Sequence, residues 1–156
     1  MKYKAVPRRY AEGTTVTVDK SRQELELLLR QRGAAQFGYF EGDTETVFVY
    51  CLHGRRIKHT VVRPIVEVKR LSKGMTEEEA QKARSEKEYQ RRWRALLLLC
   101  KAKFEMIEAG SSTFEAEFLG DTMLPDGSTV GQLMLPRVET SYKTGEMPRF
   151  LLGSGE

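Results

Sequence analysis

Cysteine and histidine are scarce in this chain, and each shortage removes a class of chemistry. The two cysteines, Cys51 and Cys100, lie far apart and outside any C-x-x-C pair. That spacing offers neither a zinc-binding cluster nor a disulfide framework. Both are predicted to be reduced core thiols, as expected in a reducing compartment. The two histidines, His53 and His59, flank one turn signal, and no carboxylate is spaced to orient either as a general base. The longest apolar run, Ala95 to Cys100, falls well short of the ~20 residues that span a bilayer. Met1 to Arg9 has no apolar stretch of the kind a signal peptide needs. A cytoplasmic location is therefore expected, with no membrane partner.

Catalytic signatures are missing too. There is no phosphate-cradling G-x-x-x-x-G-K-[ST], no G-x-G-x-x-G, no G-x-S-x-G and no H-E-x-x-H. Asp126-Gly127-Ser128-Thr129 lacks the further acidic ligands of a calcium loop and is predicted to be a turn leading into a helix. Glu115 and Glu117 stand two apart on a predicted helix, so they diverge rather than form a carboxylate pair. No catalytic residue, metal or cofactor is expected, and the protein is predicted not to be an enzyme.

The 156 residues suit one domain, with enough chain to bury a core unaided. Hydrophobic residues make up 40% and charged residues 31%, which separates the chain from disordered polymers. The net charge of +4 is a mild basic excess that permits, without requiring, an anionic partner.

The punctuation of the chain predicts an α+β fold. Residues 1–13 read as a flexible basic N-terminus, 14–149 as one domain and 150–156 as a tail. Within the domain, 14–68 is predicted to form the sheet and 76–143 to be helical. Thr14 to Val18 is β-branched and reads as a strand. Ser21-x-x-Glu24 reads as a capping box opening a helix that Gly33 closes. Strands are predicted at Phe37–Phe40, Val47–Leu52 and Arg55–Val62, with turns at Gly42-Asp43 and His53-Gly54. The order β-α-β-β-β implies a small antiparallel sheet packed with a long helix and shorter C-terminal helices. Thr76-x-x-Glu79 opens the long helix and Gly110 stops it. Ser112-x-x-Glu115 and Thr129-x-x-Gln132 cap two more, the last broken or kinked at Pro136.

The long helix carries the clearest pattern. At 100° per residue, Tyr89, Trp93, Leu96, Leu97, Cys100, Phe104 and Ile107 share one face, predicted to be buried. Trp93 and Tyr89 are thus read as core aromatics rather than base-stacking residues. Arg84, Lys87, Arg91, Arg94 and Lys101 fall opposite, with Arg92 and Lys103 on the flank. Between residues 81 and 103 eight Lys and Arg face two Glu, and residues 104–121 carry Glu105, Glu108, Glu115, Glu117 and Asp121 with no basic residue. Such a stripe can neutralise successive phosphates, or it can be a solvated face paired with the acidic segment that follows. Arg55, Arg56 and Lys58 form a second basic cluster on the hairpin. It could lie along a nucleic-acid backbone or simply protect a sheet edge.

Several short blocks stand in one order along the chain. They include Tyr10-Ala11-Glu12, Ser21-Arg22 with Glu24-Leu25-Glu26, Trp93-Arg94-Ala95-Leu96, Thr113-Phe114-Glu115 and Leu124-Pro125-Asp126-Gly127 with Thr129-Val130-Gly131. In this combination the chain, over residues 10 to 150, resembles a family of small bacteriophage and prophage proteins of unknown function. The resemblance implies an origin and assigns no catalytic residue.

The reading that follows is a phage-encoded, non-enzymatic accessory protein that binds a polyanion, DNA or RNA, through Arg84, Lys87, Arg91, Arg92, Arg94 and Lys101 and through Arg55, Arg56 and Lys58. The alternative is a counter-defence protein that sequesters a small nucleotide messenger or inhibits a host protein. The apolar stretches from Met123 to Leu135 and at Phe150-Leu151-Leu152 are core or the surface of a homo-oligomer.

Overall fold

The computed structural model describes residues 8–147. The predicted looseness of residues 1–7 and the predicted tail at 150–156 lie outside that range. The fold is α+β. In chain order it comprises α1 (Val18–Gln31), β1 (Ala35–Glu41), β2 (Glu45–Leu52), β3 (Arg55–Val62), α2 (Glu77–Glu108), α3 (Phe114–Phe118), a 3-10 turn (Leu119–Asp121) and α4 (Val130–Thr144).

Thr14 to Thr17 do not form the strand that their composition predicts. Thr17 is instead the N-cap of α1, its hydroxyl accepting from the Lys20 amide. The satisfied amide outweighs a weak β-propensity that has no neighbouring strand to pair with. The cap is accordingly Thr17 and not Ser21, which lies one turn later, is buried, and donates its hydroxyl to the Thr17 carbonyl. Gly33 ends α1 as expected, at φ +89°.

The sheet has three strands in the order β1-β2-β3, all antiparallel. His53 and Gly54 both have positive φ, the requirement of the two-residue turn that matches strand twist. The turn sets the register, pairing Leu52 with Arg55 and Phe48 with His59. Thr46, Phe48, Tyr50 and Leu52 of β2, with Ile57, His59 and Val61 of β3, then face the helices and are buried.

On that face α1 supplies Leu25 and Leu29, and α2 supplies Tyr89, Trp93, Leu97, Cys100 and Phe104. The aromatic side chains form one cluster, with Trp93 against Tyr39, Phe48 and Tyr89. Both α2 and α4 open with reciprocal capping boxes at Thr76/Glu79 and Thr129/Gln132. The cap of α3 is Thr113 rather than Ser112. Pro136 does not interrupt α4, which runs through it to Gly145 at φ +74°.

The start of α4 is fixed by a close approach. A Cβ on Gly131 would lie 2.8 Å from the Gly120 carbonyl oxygen, closer than such atoms pack. Gly131→Ala is therefore expected to lower stability by about 1–3 kcal/mol despite its better helix propensity. Urea denaturation checks this, and an unchanged midpoint would show that the 120s turn yields freely.

Candidate functional site

The nine cations expected to bind phosphate do not form one surface. Arg91 and Arg94, predicted to face solvent, are each only 17% exposed in the side chain. Arg91 donates two hydrogen bonds to Glu88, at 2.8 and 2.9 Å. Arg94 donates to Glu24 of α1 at 2.8 Å. Their hydrogen bonds hold both carboxyls below the usual carboxylate range and raise both guanidinium groups. α1 packs against α2 at Arg94, which makes that pair an interhelical one, whereas Arg91 is paired with Glu88 of its own helix. Lys101 stands exposed beside the Arg94 pair.

Arg94→Glu would set two carboxylates against each other across that interhelical contact. The pair is partly wet, which screens it, so the expected cost is about 1 kcal/mol. Thermal unfolding should register the loss. An unaltered melting midpoint would mean the two helices hold without this contact.

The hairpin cations are also largely engaged within the fold. Arg55 meets Glu115 at 3.4 Å and lies 6.0 Å from the Phe114 ring centroid. Lys58 donates to the Gly127 carbonyl at 2.9 Å. Arg56 is exposed, and its carbonyl accepts from the Met123 amide. Two of the three therefore tie β3 to the 114–127 segment.

The remaining three converge. Arg84, Lys87 and Arg92 lie along the first half of α2 and line a cleft of about 550 Å³ with Arg9. Its other wall is Pro64, Ile65 and Val66 of the β3–α2 connector, held over α2 by the Val66 amide donating to Ser85 Oγ at 2.9 Å. Residues 10–13, within the stretch predicted to be flexible, form a turn closed by the Glu12 amide donating to the Arg9 carbonyl, and Arg9 pairs with Glu88 of α2 at 3.2 Å. Glu88 accepts from or pairs with Arg9, Arg91 and Arg92, so one carboxylate sits among three guanidinium groups.

In the cleft, Arg84 contacts the Arg70 carbonyl at 3.0 Å, and Arg92 contacts the Val62 carbonyl at 2.9 Å. Carbonyls orient these groups without cancelling their charge. Lys87 has no ion pair among the described residues. Four cations against Glu12 and Glu88 leave the cleft positive before any ligand enters. Arg9 and the connector were missed by sequence reasoning. Their only signal was charge and a β-branched Ile65-Val66 pair at the end of the stretch predicted to form the sheet.

A second polar group is buried under β3. His59 Nε2 lies 3.0 Å from the Tyr50 hydroxyl and Nδ1 lies 3.7 Å from Asp121, which accepts from Lys103 at 2.5 Å. Burial pushes the Cys100 thiol beside Tyr50 up to about 12, so it stays protonated. Asp121 is the carboxylate that the spacing around His59 did not reveal. His53 is the turn residue expected, with its ring edge-on to Phe114. Among the described residues no three His, Cys, Asp or Glu side chains gather as metal ligands, and no helix is long and apolar enough to cross a membrane.

No known protein family, no curated protein and no solved structure matches the chain.

Proposed function

We propose that this is a non-catalytic phosphate-binding protein whose ligand is a nucleic acid strand, gripped along the cleft between the first half of α2 and the β3–α2 connector. The observation that carries the reading is the convergence of Arg9, Arg84, Lys87 and Arg92 on one open cleft. Guanidinium groups present a planar fork that suits phosphate oxygens, and Lys87 adds a mobile point charge. The apolar wall of Pro64 and Ile65 supplies a surface for a sugar or base, and Ile65 is largely exposed. In this reading Arg91 and Arg94 position Glu88 and α1 and do not touch the ligand. A cytoplasmic protein of phage origin would meet such a polymer directly.

The cleft volume also favours a second reading. About 550 Å³ falls within the roughly 300–1,000 Å³ of small-ligand sites. A nucleotide messenger presents the same phosphate chemistry, so its sequestration is the alternative.

Fluorescence anisotropy with single- and double-stranded DNA and RNA, beside a panel of cyclic nucleotides, separates the two. Binding to the polymers should fall steeply as salt rises. Arg84→Ala with Lys87→Ala should reduce the slope of log affinity against log salt by about 2 while leaving thermal stability unchanged. Tight binding of a cyclic nucleotide alone would transfer the case to sequestration. Silence across the whole panel would remove both.

A further inference from the structure

The phosphate cleft does not end at Arg92. That residue also lines a second hollow, of about 330 Å³, with Val61, Val62 and Ala95. Thr60, Leu96 and Leu99 are shared in turn with a third hollow of the same size, which reaches Asp121, Thr129 and Gln132.

The continuity follows from the course of the chain. β3 and its connector run antiparallel to α2, so that Val62 meets Arg92 and Val66 meets Ser85. On α2, Arg84, Glu88, Arg92, Ala95 and Leu99 recur every three or four residues and so share one side of the helix. That side borders all three hollows. Together they form one groove, about 18 Å long from Lys87 to Leu99 at 1.5 Å per residue.

The groove changes character along its length. It is cationic at the Arg84 end. Its middle is apolar, and Val62 and Leu99 stand 48% and 46% exposed there. Its far end adds polar groups with unused capacity. Asp121 accepts from Lys103 through Oδ2, while Oδ1 lies 3.7 Å from His59 Nδ1, beyond hydrogen-bond reach. Among the described residues Oδ1 therefore keeps a free acceptor. Gln132 accepts the Thr129 amide through Oε1, which leaves its Nε2 hydrogens to donate. One acceptor and one donor thus line a hollow that Leu96 and Leu99 wall with aliphatic carbon. Apolar walls with a few polar groups to fix orientation are the make-up of a small-ligand site.

We infer that this far hollow receives one unpaired nucleobase of the strand whose phosphate lies at Arg92. The inference rests on the nucleic-acid reading given above. Leu96 and Leu99 lie about 6 and 10 Å beyond Arg92 along α2, the reach of a single nucleotide from its phosphate to its base. Every base carries a donor beside an acceptor on its pairing edge, so Asp121 and Gln132 hold a base without choosing sharply among the four. In a duplex that edge is already paired and stacked, so the ligand is single-stranded.

Anisotropy with three labelled probes tests this: a single strand, the same strand made abasic throughout, and its duplex. The abasic strand keeps the charge and length and loses only the bases. It is expected to bind about tenfold more weakly, with the same dependence on salt. The duplex should also bind more weakly than the single strand. Leu99→Ala and Gln132→Met should each weaken the base-bearing strand about fivefold and leave the abasic strand unchanged. Both residues are exposed, and unchanged emission from the buried Trp93 shows that the core is intact. Equal affinity for the two single strands overturns the base pocket, as does a duplex bound as tightly. So do variants that leave the base-bearing strand unaffected or weaken both strands alike. Salt-dependent binding without dependence on bases removes this inference alone and leaves the phosphate cleft standing. Silence towards every probe removes both.

Discussion

Trp93→Ala is expected to lower the unfolding free energy by about 3–5 kcal/mol. That is a large share of the 5–15 kcal/mol that typical domains possess. The indole is fully buried where α1, α2 and the sheet meet. Tyr39, Phe48 and Tyr89 surround it with ring centroids 6.1 to 6.4 Å away. The Arg22 guanidinium lies 4.5 Å from its ring centroid and also pairs with Glu41, so the indole further organises an ion pair at the sheet edge. Truncation leaves a cavity that none of these neighbours can fill, because each belongs to a different element.

Trp93→Phe should cost distinctly less. It keeps most of the volume and removes an indole N–H that is buried without a hydrogen-bond partner. Such a group carries a desolvation penalty of about 1–3 kcal/mol, which the phenylalanine escapes. Urea denaturation of the three proteins measures both differences. Equal losses for Ala and Phe would mean that the ring cluster is not what holds the helices on the sheet.

Trp93 also marks what could be read from sequence. Its place on the buried face of α2 follows from spacing alone, because a 32-residue helix gives periodicity many turns in which to show itself. Helix starts at Thr76 and Thr129 were equally legible, since capping chemistry is confined to four residues. The same local logic failed at Ser21-x-x-Glu24. The pattern is present, but Thr17 offers a cap one turn earlier, and Glu24 is drawn to Arg94, 70 residues away. Thr14 to Val18 failed for a related reason. β-branched residues favour strands only where a partner strand exists, and this sheet ends at β1.

The candidate site was legible as charge and not as geometry. Helical spacing separates apolar from basic residues on α2. It cannot tell which basic residues face a second helix and which face solvent. Spacing pairs Glu88 with Arg92 at i,i+4, as the structure has it, but does not reveal that the same carboxylate also gathers Arg9 and Arg91. The distance along the chain between Arg9 and Arg84 hid the cleft that joins them. Asp121 beside His59 was hidden for the same reason.

That buried histidine governs the last expectation. Desolvation lowers His59 from its ordinary value to about 4, while the Asp121 carboxylate opposes the shift and Lys103 reinforces it. Lys103, hydrogen-bonded to Asp121, cancels much of the charge that would otherwise attract a proton. The folded protein therefore holds His59 neutral, whereas the unfolded chain protonates it near pH 6.5. Below 6.5 the unfolded state binds the extra proton, so stability falls as pH drops from 6.5 towards 4 and levels off beneath that. The full loss from this group is up to about 3 kcal/mol. Above pH 7 it contributes no slope. Lys103→Met should shrink the acid-induced loss: with Asp121 uncompensated, His59 takes up a proton at higher pH and the gap between folded and unfolded states narrows. His59→Gln should abolish this part of the pH dependence altogether. Urea midpoints from pH 7 to pH 4 decide it. A His59→Gln protein as acid-sensitive as the original would assign the loss to the carboxylates of the Glu24 and Glu88 pairs instead.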